Sequence, residues 1–390
     1  MKICTITCHR VYNYGASLQA YALQNYLEGK GHTVKIIDYR PWYLNMRYNF
    51  WFIAPISRMY SVASRFWIIR FIYCLLKRRD ALKNYGRKRA FDNFTQQYLR
   101  LTDRSYNTLD SLKNMPPLAD LYIAGSDQIW NSNYNNGRDP AFYLDFGSIN
   151  IKRASYAASF AINAIQEDRK PFVKNQLKKF DYISVRERTG LEILRNLGIN
   201  DAFLVNDPVF LLDKEKWLHL LNHSRKYKLP CEDFILLYDF VGDERIEKFV
   251  KVLSVEKNLK IVSVNDFEKR KYADINISNA GPLEFLNLIR CASCIVSNSF
   301  HATAFSVILE REFYVFSLQG HDNSTRMSDF LATIHLKERF NPCCSSNKNI
   351  DYLSVNSMLA PYIQDSYSFL DKVLNCLLYT SPSPRDPKTS

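Results

Sequence analysis

The alternation of short β-branched segments with helical patterns is the feature that most constrains the fold of this chain. The segment KICTIT precedes SLQAYALQNYLEGKG, in which Leu18, Ala22 and Leu23 lie on one helical face, and VKIID follows. These segments together predict a β-α-β unit. Because such units form parallel sheets covered by helices, we predict an α/β fold.

The same alternation occurs in two blocks. The strand candidates LYIAGSD, ASYAASF, DYISVRE and AFLVNDP precede a polar, basic segment near residues 221–233, and FILLYDF, LKIVSVN, CIVSNSF and EFYVF follow it. We predict two doubly wound, Rossmann-like domains that face a cleft. The first spans residues 1–220, and the second spans residues 234–375 and includes a closing helix. Ligands of such sheets bind beyond the carboxyl ends of the strands, so the binding site is predicted in the cleft.

Charge and cysteine content narrow the functional class. The net charge is +13, which favours an anionic partner such as nucleic acid, a membrane surface, a phosphorylated metabolite or an acidic glycan. The nine cysteines lack disulfide-framework spacing, and the first residues lack a signal-peptide pattern. We therefore expect a cytoplasmic protein with reduced thiols. Cys291 and Cys294 form an isolated CxxC pair, which we interpret as part of the core, and we expect no metal site.

Two segments depart from the alternation. Residues 42–92 are dense in aromatic and basic residues, and Arg58, Arg65 and Arg70 interrupt their apolar run, so a membrane-spanning helix is not predicted. This insertion fits either an amphipathic segment on an anionic membrane or a helical segment packed against protein. Residues 376–390 contain CLLYTSPSPRD, which resembles translated sequencing-adapter read-through. We interpret them as a non-native tail and expect them to be disordered.

Four predicted strand-to-helix joints carry polar residues that suit an anion site. Such joints expose unpaired helix amides and the positive end of the helix dipole. The candidates are Asn13, Gly15 and Ser17 in NYGASLQ, Asp127 and Gln128 in AGSDQIW, Arg186 and Arg188 in SVRERTG, and Ser297, Asn298, Ser299 and His301 in SNSFHATAF.

Each joint also has a purely structural interpretation. Gly15 is predicted to permit a tight turn, and Ser17 is predicted to cap the helix after it. Asp127 equally fits a helix cap, while Arg186 and Arg188 fit a surface ion pair with the acid between them. The phosphate-loop patterns GxGxxG and GxxxxGK are absent, which disfavours ordinary dinucleotide or P-loop chemistry.

The joints and their neighbouring segments resemble the polysaccharide pyruvyl transferase family. The matching segments, in family order, are NYGASLQAYAL, YIAGSDQIWN, SYAASF, ISVRERTGLEIL, VNDPVFLL, IVSNSFHATAFSVILEREFYVF and STRMSDFLATI. The match covers most of residues 1–340 and leaves out the insertion at 42–92. The resemblance implies a fold similar to that of GT-B glycosyltransferases. It also implies transfer of an enolpyruvyl unit from phosphoenolpyruvate, the donor substrate, to a sugar of a cell-surface glycan or its lipid-linked precursor, without a cofactor.

The resemblance also implies roles for individual residues. His301 matches the motif histidine and is expected to be the general acid or a phosphate ligand. Arg186 is expected to hold the donor's phosphate or carboxylate, with Arg326 of STRMSD as a second clamp. The remaining donor-site candidates are Asn13, Gly15, Ser17, Ser297 and Ser299, and the candidates for binding acceptor hydroxyls are Asp127 and Gln128. The chain has Ala302 where the family frequently has glycine, which would narrow backbone approach to a ligand.

Two further hypotheses remain open from the sequence. A GT-B glycosyltransferase with a nucleotide-sugar donor would share the fold and the glycan context. A non-catalytic component of glycan assembly would depend on residues 42–92 for contact with an anionic membrane at the inner face of the plasma membrane. Nucleic acid is not an expected partner, because the basic residues concentrate in the insertion and no recognition motif accompanies them.

Overall fold

The computed structural model describes residues 1–44, 53, 60–224, 229–265, 268–318, 324–346 and 348–375. Parts of the insertion, residues 45–52 and 54–59, lie outside this description. The segment interpreted as a non-native tail, residues 376–390, also lies outside it.

The first half of the chain builds a parallel sheet of five strands. They are β1 (Lys2–Ile6), β2 (Thr33–Tyr39), β3 (Leu101–Tyr106), β4 (Leu121–Ala124) and β5 (Lys152–Ser155), in the order β3-β2-β1-β4-β5. Strands β6 (Ile183–Val185) and β7 (Ala202–Leu204) pair in parallel with each other. Bridges from Ala154 to Tyr182 and from Ala158 to Val185 join β6 to the edge of this sheet.

The second half repeats the same strand order. Its sheet contains β8 (Phe234–Tyr238), β9 (Lys260–Val264), β10 (Ile275–Ile277), β11 (Cys294–Ser297) and β12 (Phe313–Val315), in the order β10-β9-β8-β11-β12. All pairings are parallel. Every residue of β8 is buried, as expected for a central strand covered on both faces. The prediction of two doubly wound sheets is confirmed.

Helices cover both sheets. They are α1 (Tyr14–Gly29), α2 (Tyr60–Arg65), α3 (Trp67–Lys83), α4 (Tyr85–Tyr98), α5 (Leu109–Asn114), α6 (Lys170–Leu177), α7 (Arg188–Asn196), α8 (Lys214–Asn222), α9 (Glu244–Lys257), α10 (Pro282–Cys291), α11 (Phe300–Ile308), α12 (Ser324–Thr333) and α13 (Tyr352–Asn375). Short 3₁₀ turns cover Asn136–Arg138, Pro140–Tyr143, Glu167–Arg169, Pro208–Leu211 and Lys337–Arg339. In the part of the chain that the structure describes, no helix has both the length and the apolar character that crossing a bilayer requires.

Helix α1 joins the two halves. The Tyr14 ring stacks on Phe285 of α10 with centroids 4.2 Å apart, and its hydroxyl donates to the carbonyl of Ala280 at 3.2 Å. Leu18 of α1 and Ile289 of α10 belong to one hydrophobic core that extends through both halves. The halves therefore pack through an apolar interface, and the carboxyl ends of their strands are directed toward a shared cleft.

Helix α13 returns to the first half. Tyr367 stacks on Tyr26 of α1 at 5.2 Å, and the Ser366 hydroxyl accepts a hydrogen bond from the Asn206 amide at 2.8 Å. The predicted closing helix of the second domain is thus also part of the packing around α1.

Candidate functional site

The carboxyl ends of the two sheets face a cavity of about 340 Å³. In each sheet the strand order changes direction there, between β1 and β4 and between β8 and β11. Such switch points are where ligands of open α/β sheets bind. The cavity is lined from both halves by Cys8, Val11, Asn13, Leu44, Asp127, Gln128, Tyr134, Asn136, Arg186, Phe240, Asn298, Ser299, Phe300, His301, Leu318, Arg326 and Met327.

The start of α1 forms one wall of this site. Asn13 caps the helix, since its side chain accepts from the Ala16 amide at 3.2 Å. The predicted turn at Gly15 and cap at Ser17 were wrong: Gly15 lies in the first helical turn, and Ser17 is buried within the helix. A Cβ added to Gly15 would lie 2.0 Å from Nδ1 of His301. Glycine is therefore needed here for close approach of the imidazole.

The start of α11 forms the adjoining wall, in contact with the start of α1. Ser299 caps this helix by accepting from the Ala302 amide at 3.4 Å, and His301 follows in the first turn. Ser297 does not line the cavity: its hydroxyl donates to the Tyr238 carbonyl at 2.7 Å and accepts from the Ser299 amide at 3.0 Å. The structure thus gives Ser297 a role in the strand end. Since α1 and α11 both begin at the cavity, two positive helix ends meet there.

His301 is buried and lies beside a carboxylate. Its Nε2 is 3.4 Å from Oδ2 of Asp207, close enough for an ion pair when the imidazole is protonated. Asp207 precedes the turn Pro208–Leu211 and accepts from the Val209 amide at 3.2 Å. Among the described residues Nε2 has no hydrogen-bond partner, so its contact with Asp207 is one of proximity.

Arg186 follows β6 and is surrounded by acids. Its Nη1 donates to Asp207 at 2.6 Å and to the Ser126 hydroxyl at 3.2 Å. Asp127 lies 3.7 Å from Nη2, and Glu187 lies 3.8 Å from Nε. Burial acts to lower the pKa of Arg186, but Asp207 and the other two acids outweigh it and raise that pKa. Arg188 begins α7 and is exposed, so the two arginines do not form one edge.

Asp207 receives both His301 and Arg186. Its side chain is fully buried, which by itself raises the pKa of the carboxyl group. The charges of His301 and Arg186 outweigh burial and hold the pKa of Asp207 well below its usual range. Asp207 is therefore ionised and links the candidate acid to the candidate donor ligand.

Arg326 contrasts with Arg186, because no acid among the described residues forms an ion pair with it. Its buried Nε and Nη1 have no hydrogen-bond partner among the described residues. Its guanidinium lies over the Phe300 ring at 4.6 Å, and that of Arg186 lies over the same ring at 5.5 Å. Burial, followed by the like charge of Arg186, lowers the pKa of Arg326 to about 10. An anion in the cavity would relieve both effects.

Asp127 and Gln128 lie on the wall formed after β4. Asp127 adopts a backbone φ of +80°, which residues other than glycine rarely take. Its carboxylate accepts a hydrogen bond from the Gln128 amide at 2.8 Å. The Gln128 side-chain oxygen accepts from Asn131 at 3.0 Å. Both residues line the same cavity as His301, and neither caps one of the α-helices of the described chain.

The structure brings together most of the predicted site residues and adds others. The predicted residues that line the cavity are Asn13, Asp127, Gln128, Arg186, Ser299, His301 and Arg326. Gly15 contacts the His301 ring, whereas Ser17 and Ser297 do not line the cavity. Sequence reasoning gave no role to Asp207 or Phe300. The NDP segment signals a capped turn, but nothing in it indicates contacts with Arg186 and His301.

A family model described as polysaccharide pyruvyl transferase matches residues 13–320. The chain belongs to this family. The matched span includes the joints that carry Asn13, Arg186 and His301, and it ends before Arg326. The family resemblance predicted from the sequence is confirmed. No curated protein matches the chain.

Solved structures of other enzymes share the fold of this pyruvyl transferase family member. An S. aureus MnaA–UDP co-structure is similar with a TM-score of 0.51 and 14% identity over 99% of each chain. A UDP-GlcNAc 2-epimerase from Neisseria meningitidis bound to UDP-GlcNAc gives 0.52 and 11% identity over 98% of this chain and 100% of that chain. At these identities the similarity concerns the fold alone, and it confirms the predicted GT-B-like architecture.

Proposed function

We propose that the protein transfers a pyruvyl group from phosphoenolpyruvate to a sugar of a cell-surface polysaccharide or its lipid-linked precursor. Membership of the polysaccharide pyruvyl transferase family supports a transferase acting on glycans. The observation that supports the donor is Arg326, a half-buried residue whose buried Nε and Nη1 have no hydrogen-bond partner among the described residues and which lines the same cavity as Arg186 and His301.

The donor suits this cluster. Phosphoenolpyruvate carries a phosphate and a carboxylate, and guanidinium groups bind both kinds of anion through paired hydrogen bonds. Arg326 is the principal ligand in this proposal, because Asp207 already engages Arg186. The amides at the starts of α1 and α11 add donors for the anion. A dianionic group would thus replace the repulsion between Arg326 and Arg186 with attraction.

The proposed reaction proceeds in two additions. A proton joins the methylene carbon of phosphoenolpyruvate, which leaves a cation at the central carbon, and one sugar hydroxyl attacks that carbon and loses its proton. The bond between the central carbon and the phosphate oxygen then breaks. A second hydroxyl of the same sugar attacks that carbon and also loses its proton. The products are a pyruvate ketal and inorganic phosphate. One hydroxyl proton balances the proton consumed, and the other leaves with phosphate.

His301 is the proposed acid, and Asp207 and Gly15 position it. Asp207 lies 3.4 Å from Nε2, and the absence of a side chain at Gly15 lets the ring approach α1 on its Nδ1 side. The released phosphate would stay beside Arg326 until it leaves. In this proposal Asp127 and Gln128 bind hydroxyls of the acceptor sugar at the wall formed after β4.

Ligand-induced stabilisation tests the donor. A ligand that binds only the folded protein raises the midpoint of thermal unfolding, so phosphoenolpyruvate is expected to raise it for wild type and to raise it much less for Arg326→Gln. Arg195→Gln is the matched control, since Arg195 is exposed in the last turn of α7. Inorganic phosphate is expected to give a smaller shift, because it lacks the carboxylate.

The same experiment tests the nucleotide-sugar alternative. UDP is included as a second ligand because a glycosyltransferase with a nucleotide-sugar donor would bind it. Stabilisation by UDP without stabilisation by phosphoenolpyruvate would overturn the proposal and favour that alternative. Release of phosphate that depends on both phosphoenolpyruvate and an acceptor glycan would establish the transfer itself.

A further inference from the structure

Helix α3 presents an apolar stripe to solvent. Two adjacent rows at i, i+4 and i+8 spacing form it, and all six side chains are between 45% and 75% exposed. The stripe consists of Trp67, Phe71 and Leu75 in one row and Ile68, Ile72 and Leu76 in the other. Contiguous apolar patches of this kind mark interaction surfaces in proteins.

The opposite face of α3 fixes the direction of the stripe. Cys74 is buried with Ala63 and Ile53 in a small apolar cluster, and Ile69 and Tyr73 pack against it. The helix therefore already has an inward face of its own. Packing of the insertion against its own protein accounts for that face but leaves the stripe exposed, so the two sequence interpretations apply to different faces of one helix.

The charge around the stripe is strongly positive. Residues 60–92 contain nine lysines and arginines and only two aspartates. Arg65 precedes the stripe and is exposed, as is Arg89 on the following helix α4. Basic residues beside exposed aromatic and aliphatic side chains are the combination that binds the surface of a bilayer containing anionic lipids.

We propose that the α3 stripe, Trp67 to Leu76, lies in the interfacial region of an anionic membrane. Anionic headgroups would complement the basic residues while the apolar side chains enter the acyl boundary. A second copy of the chain fits less well, because a two-fold symmetric contact would place each basic segment against its own copy. Lipid binding by the stripe does not depend on the transferase activity.

The position of α4 relates this surface to the cavity. Arg87 donates to the Tyr12 carbonyl at 2.8 Å, and the Tyr12 hydroxyl donates to Asp92 at 3.0 Å. Tyr12 directly precedes Asn13, which lines the cavity. Helix α4, which directly follows α3 along the chain, thus contacts the lip of the cleft. Resting on the proposed function, this connection favours an acceptor that is itself anchored in the membrane, such as a lipid-linked oligosaccharide.

Vesicle co-sedimentation of the full chain tests the surface. Wild type is expected to bind vesicles of phosphatidylcholine mixed with phosphatidylglycerol, and to bind more weakly at high salt or with phosphatidylcholine alone. Replacing two stripe residues, Phe71→Gln with Leu75→Gln, is expected to weaken binding by about tenfold or more. The matched control is Val252→Gln with Val255→Gln, two exposed apolar residues of α9, which is expected to bind like wild type.

Tryptophan emission gives an independent readout. Trp67 is 75% exposed, so its emission is expected to shift to the blue when anionic vesicles are added. The variant Trp67→Phe keeps the stripe apolar and is expected to bind vesicles without that shift. An equal shift in Trp67→Phe would contradict insertion of the stripe.

Three outcomes would overturn the proposal. The first is that wild type binds neither kind of vesicle, and the second is that the Phe71→Gln/Leu75→Gln variant binds as well as wild type. The third is that wild type binds no lipid but is a dimer in sedimentation analysis, while this variant is a monomer. Stabilisation by phosphoenolpyruvate is measured on the same variant. If that stabilisation persists while vesicle binding is lost, the variant is folded and its failure concerns the membrane surface alone; if wild type binds vesicles but not phosphoenolpyruvate, only the proposed donor fails.

Discussion

Gly15 and His301 come from opposite halves of the chain and are in direct contact, with space at residue 15 for a hydrogen but not for a methyl group. A Cβ there would lie 2.0 Å from Nδ1 and 2.2 Å from Cγ of the imidazole. The ring is held between α1 and the carboxylate of Asp207. The position of the proposed acid therefore depends on a residue in the other half.

Gly15→Ala is expected to displace His301 and reduce kcat/KM by about a hundredfold, since misplacement of about 1 Å has such effects. Because the added methyl group overpacks a buried contact, the free energy of unfolding is expected to fall by about 2 kcal/mol. Steady-state kinetics and urea unfolding measure the two effects.

Gly29→Ala is the control for that change. Gly29 ends the same helix, and a Cβ there has no atom within 4 Å, so this variant is expected to gain about 0.5 kcal/mol and keep full activity. The double variant Gly15→Ala/His301→Ala isolates the contact. If Gly15→Ala costs as much stability without the imidazole as with it, the clash is not the cause.

Arg326→Gln is expected to separate binding from stability. It removes a half-buried positive charge that lies near Arg186 and whose buried Nε and Nη1 lack a hydrogen-bond partner among the described residues. The ligand-free protein is therefore expected to be as stable as wild type or more so. Affinity for phosphoenolpyruvate is expected to fall by about tenfold to a hundredfold, the range for a lost charged hydrogen bond.

Arg326→Lys is the companion variant. It keeps the charge but loses the planar pair of donors, so its affinity is expected to lie between those of wild type and Arg326→Gln. Isothermal titration with phosphoenolpyruvate measures all three. A large loss of stability in Arg326→Gln with unchanged affinity would assign Arg326 a structural role instead.

Asp207→Asn is expected to change how stability depends on pH. The pKa of Asp207 is lowered in the folded state. As the pH falls through the ordinary value of 3.8, the unfolded chain therefore takes up a proton before the folded protein does, and the stabilisation is progressively lost. Asp207→Asn leaves Arg186 without its closest partner and is expected to cost about 3 kcal/mol at neutral pH.

The difference between wild type and Asp207→Asn should therefore shrink as the solution becomes acidic. Urea unfolding across that range measures it. A difference in the free energy of unfolding that does not depend on pH would show that protonation of Asp207 is not coupled to unfolding. Asp213→Asn removes an exposed negative charge at the start of α8 while asparagine can still cap that helix, so it is the control for a general effect of losing one acid.

The fold could be predicted because its signals are local. Runs such as FILLY are apolar throughout, as strands covered on both faces must be, and they alternate with helical segments along the whole chain. Parallel strands joined through helices leave few alternative topologies. The return of α13 to Tyr26 was not predictable, because it depends on packing between distant segments.

The site could be predicted only in part, because its contacts join distant segments. The strand-to-helix joints indicated where Arg186 and His301 would meet. The glycine at position 15 was assigned to a turn because a turn is the usual local reason for glycine. Its actual reason, the imidazole of His301, is 286 positions away in the sequence. Asp207 was missed for the same reason.

Asp127 provides a test of the acceptor wall in which donor and acceptor respond in opposite directions. Its carboxylate lies 3.7 Å from Arg186, so Asp127→Asn removes a negative charge from the donor side while asparagine tolerates the same positive φ. Affinity for phosphoenolpyruvate is expected to rise, because one repelling charge is gone. The KM for the acceptor glycan is expected to increase, because a charged hydrogen-bond acceptor is lost. Initial rates with each substrate varied separately measure both, and weaker donor binding with an unchanged acceptor KM would place Asp127 in the donor site instead.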